Sequence, residues 1–196
     1  MDFKPTDRFS QAFHYASVLH DGQFRKGSRI PYLAHLLGVT ALVIEDGGDE
    51  DQAIAALLHD AVEDQGGMQT LEEIRRRFGD RVAEIVAGCT DAFSIPKPPW
   101  RERKEGYIEH LRGANPGILR VSLADKLNNA RSILSDLHRA GDSVWGRFNG
   151  GKVGTLWYYS ELLQVFQQVS NSPQVNELAR VLADIQRLAD QEKPAI

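Results

Sequence analysis

The stretch Leu57-Leu58-His59-Asp60-Ala61-Val62-Glu63-Asp64 limits what this chain can become. It closes an apolar run that begins at Ala53. At about 100° per residue on a helix, His59, Asp60, Glu63 and Asp64 share one arc of about 140°. Ile54, Ala55, Leu57, Leu58, Ala61 and Val62 fill most of the remainder. A helix so apolar belongs in a core. Carboxylates and an imidazole on its single polar arc are costly to bury without compensation. A bound divalent cation would compensate them. An arc turned toward water is the alternative, and the rest of the chain has to decide.

A length of 196 residues suits one domain that buries a full core without staples. The formal net charge of −4 indicates no general affinity for nucleic acid or membrane, so an anionic ligand would need a local cluster of bases. The single Cys89 rules out an intrachain disulfide framework and suits a reducing cytoplasm. It sits among Val82, Ile85 and Val86, which reads as a buried structural thiol. The start Met1-Asp2-Phe3-Lys4-Pro5 is not that of a signal peptide, and no apolar run reaches membrane-spanning length.

Helical spacing recurs along the whole chain. Thr6 caps a first helix carrying Phe9, Ala12, Phe13, Ala16 and Leu19. A glycine-bracketed loop, 20–31, holds Arg25, Lys26 and Arg29: a solvated basic loop or a phosphate clamp. Pro31 opens a second helix that places His35 within an apolar pattern. Asp49 or Asp51 starts the third, which holds the central stretch and ends at Gly66-Gly67. Thr70 and Glu73 form a capping box for the fourth, and residues 80–90 make a fifth. Three prolines make 91–101 irregular: a loop that closes over an anion, or a plain surface connection. Helices follow near 101–112 and at about 116–135. In the latter Asp125, Asn129 and Ser132 form a polar stripe opposite Leu123, Leu127, Ala130 and Leu134. Residues 141–152, with four glycines, read as a flexible link, and 153–169 and 174–191 as the last helices. With no two-residue alternation anywhere, the expected architecture is an all-α, single-domain helical bundle spanning 1–196.

His35, His59, Asp60 and Asp125 together offer the mixed nitrogen and oxygen donors that manganese, iron or zinc accepts. Such an ion polarises phosphoryl oxygens, and Glu63 and Asp64, one turn beyond the doublet, are placed to handle the proton of an attacking water.

In order along the chain, His20-Asp21-Gly22-Gln23-Phe24-Arg25-Lys26, Pro31-Tyr32-Leu33-Ala34-His35, the central stretch and Leu123-Ala124-Asp125-Lys126-Leu127-Asn128-Asn129 resemble the motifs of the HD metal-dependent phosphohydrolase superfamily. Within it they are most similar to the hydrolase domain of RelA/SpoT alarmone enzymes and to the stand-alone small alarmone hydrolases of the Mesh type. The resemblance covers about residues 8–135, with helices 153–191 completing the bundle. It implies removal of the 3′-pyrophosphate from (p)ppGpp with one manganese ion, Mn2+, held by His35, His59, Asp60 and Asp125. It implies Glu63 and Asp64 as the pair that activates or orients water. Arg25 and Lys26 would flank the base and Asn129 would meet the ribose, with Lys126, Arg131 and Ser132 nearby. Tyr158 would pack on the nucleotide, and Lys97 or Lys104 would touch phosphate. A chain ending at Ile196 would hydrolyse and not synthesise.

Segments 94–100 and 145–151 depart from the family's usual sequences, which leaves guanine and adenine alarmones, (p)ppGpp and (p)ppApp, both open. Two other readings compete: an HD-type nucleotidase acting on nucleoside 5′-monophosphates, and a non-catalytic alarmone-binding sensor. The expected partner is a small nucleotide, without nucleic acid or membrane; a homodimer is left open.

Overall fold

The computed structural model describes residues 3–93 and 96–191. The helices are α1 (Asp7–Leu19), α2 (Leu33–Glu45), α3 (Glu50–Leu58), α4 (Ala61–Asp64), α5 (Gly67–Phe78), α6 (Asp80–Cys89), α7 (Trp100–Arg112), α8 (Pro116–Ala140), α9 (Gly151–Val169) and α10 (Pro173–Asp190). A 3-10 helix, Gly141–Arg147, joins α8 to α9. Among the described residues the only β-pairing is an isolated antiparallel bridge between Phe24 and Pro31, which closes the basic loop. No helix of the described residues is long and apolar enough to cross a membrane.

Local chemistry sets several helix starts. Thr6 Oγ1 accepts the Arg8 N–H at the head of α1. Asp49 and Gln52 form a reciprocal capping box on α3. Asn115 caps α8 ahead of Pro116, and Ser172 caps α10 ahead of Pro173.

The bundle is built around α3. Every residue from Gln52 to Leu58 is buried, and the helix packs against α1, α2, α6 and α8. An axis apolar on all sides is what a central helix requires. Helix α10 lies along α8 and α9, and its start is pinned to the end of α2: Ser172 Oγ donates to Asp46 Oδ1 at 2.5 Å and Gln174 Nε2 to the Leu42 carbonyl at 2.7 Å.

Four expectations change. The central stretch is not one helix: α3 ends at Leu58, and Asp60, at φ −96° and ψ −5°, breaks the run before α4. On a continuous helix neighbours diverge by about 100°; the break lets His59 Nε2 and Asp60 Oδ2 stand 3.0 Å apart. The capping box at Thr70 does not form. Gly66 and Gly67, at φ +129° and +61°, turn the chain into α5 early, and Thr70 Oγ1 donates to the Gln65 carbonyl instead. Helix α8 runs on to Ala140, five residues beyond its expected end. The link after it is ordered, because Val144 and Trp145 are buried. In the proline-rich loop Ser94 and Ile95 lie outside the described residues.

Leu127, on the buried face of α8, is fully enclosed. Replacing it by Ala is expected to cost about 2–5 kcal/mol and to lower the thermal midpoint by roughly 5–15 °C. A calorimetric scan in which the midpoint is unmoved would place Leu127 outside the core.

Candidate metal centre and substrate cavity

Four donors converge where α2, the α3–α4 break and α8 meet. His35 Nε2 lies 3.3 Å from Asp125 Oδ1 and 3.5 Å from Asp60 Oδ2. His59 Nε2 lies 3.0 Å from Asp60 Oδ2 and 3.6 Å from Asp125 Oδ1. One ligand atom each of His35, His59 and Asp125 falls within 4.8 Å of the others. Asp60 closes the fourth side, and its Oδ2 also accepts the Tyr32 hydroxyl at 2.6 Å.

The opposite edges of both imidazoles are fastened. His35 Nδ1–H donates to the Asn128 amide oxygen at 2.8 Å, and His59 Nδ1–H to the Ala56 carbonyl at 2.9 Å. Each bond places the Nε2 lone pair of the neutral ring toward the gap. Both Nε2 atoms are buried and make no hydrogen bond, although carboxylate oxygens stand close by. Two unpartnered buried nitrogens facing two carboxylates fit a divalent cation.

Gly38 makes room for this arrangement. A Cβ there would come within 2.4 Å of the Asn128 amide nitrogen, so α2 admits Asn128 to His35 only because it carries no side chain at that point.

The electrostatics agree. Burial pushes the His59 and His35 imidazoles down, but the pull of Asp60 and Asp125 outweighs it and raises both above their ordinary value. Burial pushes Asp60 and Asp125 up, yet His59 and His35 hold Asp60 well below the carboxylate range, and Lys126 with the same imidazoles does so for Asp125. Without an ion the two imidazoles hold protons more firmly than free ones do.

A cavity of about 600 Å³ opens beside these donors, a volume suited to a small-molecule ligand. Arg103, Lys104 and Lys126 line its inner end, and Arg25, Lys26, Arg131, Arg139 and Arg147 its outer part. Asn129, Ser132 and Tyr158 also line it, so all but Lys97 of the side chains expected to touch substrate on the RelA/SpoT resemblance line one space.

Glu63 lines the cavity as well. Its Oε1 receives Lys97 at 2.8 Å, with Arg103 at 3.9 Å. Burial and the nearby Asp91 push its carboxyl above the ordinary range against the pull of Lys97. Asp64 is not among the lining residues; it is exposed and accepts from Gln23 Nε2 at 2.9 Å. Asp91 anchors Arg103 and Lys104 from below, at 2.5 and 2.6 Å. Cys89, half-buried, places its thiol 3.6 Å from Ser122 Oγ, and burial pushes it up to about 11.

Sequence reasoning missed Tyr32, Asn128, Arg103 and Trp100. A signal existed for the first two, since Tyr32 precedes His35 by three residues and Asn128 follows Asp125 by three, one helical turn in each case. Trp100 seats on Gly150 and Gly154, where a Cβ would meet its ring at 2.7 and 3.2 Å, and that contact depends on tertiary packing.

Comparison with known proteins agrees with this geometry. The HD domain profile matches residues 12–156. The chain is 40% identical over 138 residues to the guanosine-3′,5′-bis(diphosphate) 3′-pyrophosphohydrolase MESH1 of Xenopus tropicalis, covering 69% of this chain and 72% of that protein. It is 35% identical over 129 residues to the guanosine-3′,5′-bis(diphosphate) 3′-pyrophosphohydrolase of Aquifex aeolicus, covering 65% of this chain and 18% of that much longer protein. A solved structure described as a metazoan orthologue of SpoT that hydrolyses ppGpp superposes with a TM-score of 0.75 at 25% identity, over 95% of this chain and 98% of that one.

Protons and a cation compete for the same Nε2 atoms. In the metal-free protein the raised imidazoles stabilise the fold below their ordinary pKa, and that contribution fades as pH rises through the raised values. Stabilisation by a divalent ion runs the other way. At a hundredfold excess over its dissociation constant the ion is worth about 2.7 kcal/mol, an upward shift of roughly 5–10 °C in thermal midpoint for a chain of this size. At a fixed ion concentration the shift is expected to be clearly larger at pH 8 than at pH 6. Equal shifts at both would mean that the imidazoles do not hold the ion.

Proposed function

This chain belongs to the HD-domain family, alongside the MESH1-type guanosine-3′,5′-bis(diphosphate) 3′-pyrophosphohydrolases, and we propose that it removes the 3′-pyrophosphate from alarmone nucleotides, (p)ppGpp or the adenine analogues (p)ppApp, with one manganese ion. The observation that carries this reading is the imidazole–carboxylate cage beside a cavity lined by lysines and arginines, with Tyr32, Asn128 and Lys126 each bonded to a member of the cage and lining the cavity. A 3′-pyrophosphate needs both: an ion at the scissile phosphorus and fixed positive charge along the rest of the group.

In this reading His35 and His59, through Nε2, and Asp60 and Asp125, through carboxylate oxygen, hold the ion. When bound, the ion supplies Lewis-acid polarisation of the phosphoryl oxygens and makes water acidic enough to attack near neutral pH. Tyr32 and Asn128 keep Asp60 and His35 aimed. Arg103, Lys104 and Lys126 neutralise the pyrophosphoryl oxygens while water attacks the phosphorus bonded to the ribose 3′-oxygen, which is the leaving group and takes up a proton to become the 3′-hydroxyl. Glu63 takes the proton of the attacking water. Lys97 and Arg103 both approach Oε1, and among the described residues no hydrogen bond occupies Oε2, which leaves that oxygen to receive it. The raised carboxyl of Glu63 makes it a better base than a solvated glutamate. Asp64, held by Gln23 outside the cavity lining, is the residue the family resemblance gives for orienting that water. Asn129 and Ser132 meet the ribose, Arg25 and Lys26 flank the purine, Tyr158 packs against the nucleotide and Arg131 adds positive charge at the outer part.

The three cations at the inner end favour this over release of a single phosphate from a nucleoside 5′-monophosphate, which presents less charge for them to meet. The lone Cys89 is consistent with work in the reducing cytoplasm.

Glu63→Gln removes the base and keeps the shape. With manganese saturating, turnover of ppGpp is expected to fall by about 10²–10⁴ while manganese content per chain stays as in the wild type. Near-wild-type turnover in the substituted protein of verified metal content would take Glu63 out of the mechanism.

A further inference from the structure

A cavity built for a polyanion has little use for acids, and the lining holds two: Glu63, already placed at the inner end, and Asp136. Asp136 lies on the same face of α8 as Asp125, Asn129 and Ser132, at intervals of four, three and four residues. At 1.5 Å per residue it stands about 16 Å along the helix from Asp125. Successive turns therefore present a metal ligand, an amide, a hydroxyl and a carboxylate. If phosphate lies at the first and ribose at the next two, the base lies at the fourth.

The carboxylate is held in place from across the cavity. Arg147 Nη1 donates to Asp136 Oδ2 at 2.8 Å. Among the described residues no hydrogen bond reaches Oδ1, and both side chains keep contact with solvent, at 33% and 26% exposure. The Arg147 stem lies over Gly27: a Cβ there, at φ +74°, would come within 2.5 Å of its Cδ and Nε. The neighbouring Lys26 Nζ donates to Asn149 Oδ1 at 3.4 Å. These contacts fasten the pair beside Arg25 and Lys26, the residues assigned to the faces of the base.

We propose that Asp136, positioned by Arg147, reads the Watson–Crick edge of the purine and selects guanine over adenine. This rests on the alarmone reading of the same cavity. Guanine presents two adjacent donors on that edge, N1–H and the 2-amino group, which a carboxylate accepts side by side, while O6 faces a guanidinium. Adenine presents one donor and the N1 lone pair, which a carboxylate repels. An alternative assigns Asp136 only to neutralising Arg147, and it predicts no effect of the base.

Two measurements on wild type and Asp136→Asn test this: kcat/KM for ppGpp and ppApp with manganese, and calorimetric affinity for GDP and ADP. A half-exposed reader should discriminate by about 10–100-fold, less than a sealed hydrogen-bonding pocket achieves. Wild type is expected to favour the guanine member of each pair by that factor. Asp136→Asn is expected to lose most of it through a fall on the guanine member, with ppApp turnover and ADP affinity no lower than in wild type, which also shows that the variant is folded. An equal loss on both bases, an unchanged ratio, or a wild type that prefers adenine overturns the proposal. A wild type that turns over neither alarmone overturns the hydrolase reading instead; a GDP preference abolished in Asp136→Asn would then still uphold the base reader. Failure to bind either diphosphate overturns both.

Discussion

Two imidazoles and two carboxylates meet where α2, the α3–α4 break and α8 come together, largely out of contact with solvent. Burying such groups is unfavourable unless each polar atom is matched. Outward-facing atoms are matched by protein: Asn128 and Ala56 take the Nδ1 protons, and Tyr32, Lys126 and Asn129 bond the carboxylates. The two Nε2 atoms are left to each other and to the acids. A divalent ion resolves that mismatch, and the helix packing is arranged so that it can.

The frame behind the cage is apolar and tightly enclosed, which lets it hold charged groups in fixed positions. Helix α3 is buried on every side and ends at the doublet, so the chain delivers His59 and Asp60 from the most rigid part of the bundle. Helix α8 does two jobs. Its buried face carries Leu123, Leu127 and Ala130 into the core, and its other face lays polar groups along the cavity from Lys126 to Asp136. Stability and ligand register thus share one helix.

Much of this was legible from residue order. Apolar periodicity identified most helices, and Thr6 and Asp49 marked starts that the structure keeps. The four-donor cluster stood out because His59-Asp60 is a polar interruption in an apolar run. Boundaries failed where backbone freedom outweighed side-chain capping, as at Gly66-Gly67 ahead of Thr70. The 3-10 helix at 141–147 was hidden by its glycines, although Val144 and Trp145 bury it. Supporting contacts were less visible still. That Asn128 reaches His35 depends on an absent side chain at Gly38, and that Trp100 reaches α9 depends on Gly150 and Gly154. Such contacts follow from how helices approach one another, which periodicity does not encode.

The most direct test is an anomalous-scattering map of crystals grown with manganese. One strong peak is expected per chain, at bonding distance from His35 Nε2, His59 Nε2 and carboxylate oxygens of Asp60 and Asp125 together. A peak that leaves out either His35 or Asp125, or an empty cage at saturating manganese, would contradict a single ion held jointly by these three parts of the chain.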